Sequence, residues 1–123
     1  MYNVNVGDNI NFKTHDNVTD FHLEKSSEGS VYYYSENTSV NLYVCAYDTS
    51  MCDSSYYTIQ HECSNPTNVN GYVVYLSSSN TGVNAGQVRY VSYINDRDNQ
   101  RIILVSTPDM NETSYIISHI TVA

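Results

Sequence analysis

The sequence predicts an all-β protein, an antiparallel β-sandwich of about ten short strands forming a single domain over residues 1–123. Two observations carry this. Apolar and polar residues alternate with a period of two along most of the chain, and no window of about eleven residues repeats apolar positions at i, i+3, i+4 and i+7. The runs are also punctuated by Gly, Asn, Asp and Ser, residues that tolerate turn geometry or hydrogen-bond their own backbone.

In chain order, Tyr2–Val6 and Asn9–Lys13 flank the turn at Gly7-Asp8, and Thr19–Lys25 and Ser30–Ser35 flank Ser27-Glu28-Gly29. In Thr38–Tyr47, Val40, Leu42, Val44 and Ala46 share one face and form a core row, opposite Asn41, Tyr43, Cys45 and Tyr47. Ser55–Glu62, Gly71–Ser77 and Gly86–Asn95 follow. Gln100–Ser106 carries Arg101-Ile102-Ile103-Leu104-Val105, apolar on both sides as a central strand is. Thr113–Val122, where Tyr115, Ile117, His119 and Thr121 oppose Ile116, Ser118, Ile120 and Val122, reads as a second central strand. Pro66 and Pro108 are placed in loops. Thr38–Tyr47 is offered as an exposed edge that could pair with a second copy, so a homo-oligomer stays open.

Charge narrows the function classes. Thirteen acidic residues against five Lys and Arg give a net charge of −8, a field that repels polyphosphate and anionic lipid. Nucleic acid is therefore not an expected partner. No stretch reaches the roughly twenty apolar residues of a membrane helix, so membrane insertion is not expected, and Met1–Lys13 lack the basic start and apolar run of a secretion signal. Residues 1–66 hold nine acids and two bases, and residues 67–123 four acids and three bases. The acidic first half reads as a solvated surface, or as a field that steers a basic partner.

Cys45, Cys52 and Cys63 leave one cysteine odd whatever pairs. A tight turn at Tyr47-Asp48-Thr49-Ser50 would bring Cys45 opposite Cys52 and allow a disulfide, leaving Cys63 unpaired or intermolecular; three reduced thiols are the other reading. With His61 the cysteines lack the close Cys-x2–4-Cys pair of a zinc site, and no metal or cofactor is expected. The sequons at Asn17, Asn37 and Asn111 stand before predicted strands and suit surface glycans. They point to an extracellular, cell-surface or virion-surface setting.

Asp53-Ser54-Ser55-Tyr56-Tyr57-Thr58-Ile59 resembles the Asp-x-x-x-Tyr-x-Cys corner of immunoglobulin domains, with Ile59 where that family has its second Cys. The segment from Asn111 to Val122 resembles the strand leading into such a corner. The resemblance implies an immunoglobulin-like sandwich, with a jelly roll as the other arrangement of the same layers. Val4-Asn5-Val6-Gly7-Asp8-Asn9-Ile10 is similar to the opening strand turn of cupredoxins, without that family's copper ligands.

Thirteen Tyr and no Trp make the Tyr set the most unusual feature. Tyr32, Tyr33, Tyr34, Tyr56 and Tyr57 are the candidate binding residues, with Tyr33 expected outward, because exposed Tyr offers rigid contact area with a polar tip. The plainer reading is that Tyr replaces Phe and Trp in the core. Asn95-Asp96-Arg97-Asp98-Asn99-Gln100 alternates oxygen ligands as calcium loops do, but Arg97 and Arg101 offset it and a polar hairpin loop is the simpler reading. No Gly-x-Ser-x-Gly or comparable frame is present, so no catalytic residue is assigned and an enzyme is not expected. The sequence thus predicts a non-catalytic binding module, of a viral or microbial surface or secreted protein, that engages a protein partner through a Tyr-rich acidic surface. The alternative is a carbohydrate-binding module or a structural β domain of a larger assembly.

Overall fold

A computed structural model of the chain describes residues 2–7, 9–15, 21–25, 31–35, 40–46, 64–69, 71–78 and 88–122. Its elements are β1 (Tyr2–Gly7), β2 (Ile10–Thr14), β3 (Phe21–Lys25), β4 (Val31–Ser35), β5 (Asn41–Ala46), β6 (Ser64–Val69), β7 (Tyr72–Ser78), β8 (Val88–Asp96), β9 (Arg101–Thr107), a helix α1 (Met110–Ser118) and β10 (Thr121–Val122). The described strands form two antiparallel sheets, ordered β1-β2-β10 and β3-β4-β5-β9-β8-β7-β6. The architecture is β-dominated and sandwich-like, with one short helix.

The core explains the layering. Ile10 and Phe12 of β2, Val40, Leu42 and Val44 at β5, Ile103 and Val105 of β9, and Ile116 and Ile117 of α1 form one buried cluster. The small sheet and the helix therefore cover the same face of the large sheet. Each of these side chains contributes roughly 1.5–3 kcal/mol on burial. The expected aliphatic row of Val40, Leu42 and Val44 is buried, and β9, with Ile102, Ile103 and Val105 all buried, occupies the middle of the large sheet. On the opposite face Ile102 is covered by Tyr43, Tyr93 and Leu104.

Three expectations are corrected. The segment Thr113–Val122 is not a central strand: most of it lies in α1, and only Thr121–Val122 is extended. Pro108 precedes the N-cap Asp109, whose carboxylate accepts from the backbone N–H of Asn111 at 2.8 Å and of Glu112 at 3.4 Å. Thr113, Ser114, Ile116 and Ile117 are then the buried face, an i, i+3, i+4 pattern that emerges once small hydroxyl residues count as core-facing. His119 is accordingly the C-cap of α1, not a mid-strand residue, and the resemblance of this segment to an immunoglobulin strand does not survive.

Pro66 lies not in a loop but in β6, where the register against β7 shifts between Ser64 and Thr67. β6 is an outer strand of its sheet, where a missing N–H breaks no ladder. Finally, Asn41–Ala46 is no edge: it pairs with β4 on one side and β9 on the other, so it has no open flank for a second copy. The expected strand Ser55–Glu62 and the corner from Asp53 to Ile59 lie outside the described residues.

Candidate functional site

The β1–β2 hairpin turns at Gly7, with φ of 88°, and Asn9, with φ of 60°, values that Gly and Asn tolerate best. The hairpin sets Asn3 opposite Lys13 and Asn5 opposite Asn11, and β10 adds Thr121 opposite Asn11. Because opposite residues in an antiparallel pair share a face, these polar side chains gather on one side of the small sheet. On the other side, Phe12 belongs to the core and Val4 packs against it.

Asn3, Asn5, Asn11, Lys13, His119 and Thr121, together with Val4 and Phe12, line an open groove of about 170 Å³. That is below the roughly 300–1,000 Å³ of a drug-sized pocket. Asn5 Oδ1 accepts from the backbone N–H of Gly7 at 2.9 Å, which fixes its amide and turns the two N–H donors toward other partners. His119 is held by its neighbours: its Nδ1 lies 2.8 Å from the Tyr115 carbonyl, and its ring stacks on Tyr115 with centroids 4.1 Å apart. A carbonyl can only accept, so Nδ1 carries the proton and Nε2 is the nitrogen a ligand would meet.

Tyr115 also carries the His15 ring, with centroids 4.2 Å apart. Beneath it, Glu112 joins helix to sheet: it accepts from Thr14 Oγ1 at 2.7 Å, from the His15 backbone N–H at 2.8 Å, and faces His15 Nδ1 at 2.8 Å. Burial pushes the Glu112 carboxyl up, but these bonds and the His15 charge more than offset it, so it titrates below its ordinary 4.5. This clamp ties α1, and through it His119, to the strand that carries Asn11 and Lys13.

At the tip of the β8–β9 hairpin, Arg101 Nε donates to Asp96 Oδ2 at 2.7 Å and Asn99 Nδ2 reaches both Asp96 oxygens, at 3.2 and 3.0 Å. Burial raises the Asp96 carboxyl, yet the bonds from Arg101 and Asn99 and the guanidinium charge outweigh it, so it titrates below its ordinary 3.8. The loop is a polar hairpin closed by an internal ion pair. Among the described residues, no three His, Cys, Asp or Glu side chains gather as metal ligands would.

Of the residues singled out by sequence, β4 sets Tyr32 opposite Tyr43, Tyr33 opposite the buried Leu42, and Tyr34 opposite Asn41. Cys45 is opposite Ile102 in β5. Asn111 is exposed in the first turn of α1. Tyr56, Tyr57, Cys52, Asn17 and Asn37 lie outside the described residues. Sequence reasoning missed the groove residues, although the signal was present as the polar members of two adjacent alternating strands. Among the described residues, no helix is long and apolar enough to cross a membrane. Compared with protein-family models, with curated proteins and with solved structures, the chain shows no significant match.

Proposed function

We propose that this chain is a non-catalytic binding module whose small-sheet groove receives one sugar ring of a glycan. The observation that carries the reading is the polar rim of the open groove of about 170 Å³: three Asn amides, a Lys, a His and a Thr stand around Val4 and the core residue Phe12. Side-chain amides and hydroxyls are the groups that hydrogen-bond sugar hydroxyls, and a shallow groove suits a ring still attached to a larger chain. Phe12 also lines the groove but is only 2% exposed, so His119 is the ring a sugar face would meet. An extracellular or surface setting, with glycans at Asn17, Asn37 and Asn111, is part of the same proposal.

Saturation-transfer NMR against a panel of monosaccharides tests it. Transfer that disappears in Asn11→Ala, with the amide spectrum otherwise unchanged, is the expected result. No transfer from any sugar overturns the reading.

The second reading is a protein partner, basic in character, on a Tyr-bearing acidic surface. It draws on the exposure of Tyr2 and Tyr72, at 44% and 37%, and on the Tyr32–Tyr34 run in the sequence. An immunoglobulin-like or jelly-roll arrangement of the sheets belongs to this proposal too.

A further inference from the structure

We infer that the groove selects a sugar bearing a carboxylate over its neutral counterpart, with Lys13 as the residue that makes the distinction. The inference rests on the glycan reading of the groove and goes further by naming the ligand class. Hydroxyls donate and accept, so a site for a neutral ring has to offer both kinds of partner. The polar groups of this lining are weighted toward donors, with His119 Nε2 and the Asn3 and Asn11 oxygens as the side-chain amide and ring acceptors. Lys13 has three N–H donors and no acceptor. Asn5 has its oxygen engaged by Gly7 at 2.9 Å, which leaves its N–H pair for a ligand. Thr121 adds a hydroxyl that can donate.

Among the described lining residues none is acidic and one is Lys. Asn3 and Asn11 stand where alternation would equally accept Asp, and a carboxylate at either would pair with Lys13 and cancel its charge. Register places Asn3 directly opposite Lys13, so the Asn3 amide and the ammonium flank one spot on the outer face. A carboxylate there takes a charge-assisted bond from Lys13 and neutral bonds from the amides. The chain's charge of −8 repels anions at long range, but at about 0.15 M salt that field is screened beyond roughly 8 Å, so the local donors decide.

The test compares methyl glucuronoside with methyl glucoside at about 0.15 M salt, followed by the side-chain amide resonances of Asn3, Asn5 and Asn11. The expected result is binding of the glucuronoside roughly tenfold tighter, the scale of one charge-assisted bond. Lys13→Gln should reduce that preference to near unity, and Lys13→Arg should retain it. Lys13 is exposed, so neither substitution disturbs the core, and an unchanged backbone amide spectrum verifies this. Equal binding of the two sugars overturns the inference and leaves the glycan reading standing. A preference that persists in Lys13→Gln overturns the assignment to Lys13. Binding of neither sugar overturns the inference, and the monosaccharide panel then decides the glycan reading separately.

Discussion

Glu112 Oε2 lies 2.8 Å from His15 Nδ1, although the two residues are 97 positions apart in the chain. The contact joins the first turn of α1 to the end of β2, and the same carboxylate takes the Thr14 hydroxyl and the His15 backbone N–H. Glu112→Ala would leave those donors without their acceptor at a side chain that is 11% exposed. The expected loss is about 1–3 kcal/mol, read from the urea midpoint, with Glu112→Gln intermediate because its amide oxygen still accepts.

The acid limb of stability should follow from two carboxylates. Both Glu112 and Asp96 titrate below their ordinary values of 4.5 and 3.8 in the folded chain. A carboxyl depressed by folding adds stability that is fully present above its unfolded value and is lost as pH falls through the lower folded value. The thermal midpoint should therefore be flat above about pH 5.5 and fall below about pH 4.5. In Glu112→Gln the fall should be shallower; an unchanged acid limb would show that Glu112 carries none of it.

Asp96→Asn should be among the most damaging single changes. The Asp96 side chain is 4% exposed and that of Arg101 11%, so the substitution strands a guanidinium without its counter-charge. Breaking a buried pair from one side costs roughly 3–5 kcal/mol, whereas a polar hairpin without that pair would lose under about 1 kcal/mol. Chemical denaturation distinguishes the two.

The N-cap gives a smaller, cleaner effect. Asp109→Ala removes the acceptor for the Asn111 and Glu112 N–H groups and should cost about 0.5–2 kcal/mol, with Asp109→Ser close to wild type. Circular dichroism during the melt should show the helical signal lost at lower temperature. Full stability in the Ala variant would mean that Thr107 and Thr113 hold this end of the helix without the cap.

Gly71, between β6 and β7, has φ of 88°, and a Cβ there would meet nothing within 4 Å. Any cost of Gly71→Ala is therefore backbone strain, expected at about 1–2 kcal/mol. A stabilised Gly71→Ala variant would show that the turn adopts another conformation.

How much was legible in the sequence follows from which forces decided each element. The Val40, Leu42 and Val44 row and the two-sided apolar run of β9 were legible because their burial follows from period-two alternation alone. Helix α1 was not. Ile116 and Ile117 are β-branched and favour a strand locally, and what overrides them is the Asp109 cap together with burial of Thr113 and Ser114, two polar residues that no hydropathy pattern counts as core. Thr113 enters the core because its hydroxyl donates to the Tyr90 carbonyl, and Ser114 because its hydroxyl donates to that of Val69. The outward polar residues of β1 and β2 were likewise visible one strand at a time. Their facing one another depends on hairpin register, and the arrival of His119 and Thr121 beside them depends on the helix that the alternation concealed.

The groove takes its walls from residues 3–13 and from residues 119–121, segments separated by most of the chain. A pocket built this way is a late event in folding, since contacts of such long sequence separation form only after the intervening loop has been closed. A chain halted before His119 would carry the hairpin wall of Asn3, Asn5, Asn11 and Lys13 without its second wall, so the complete groove exists only where the two distant segments have met.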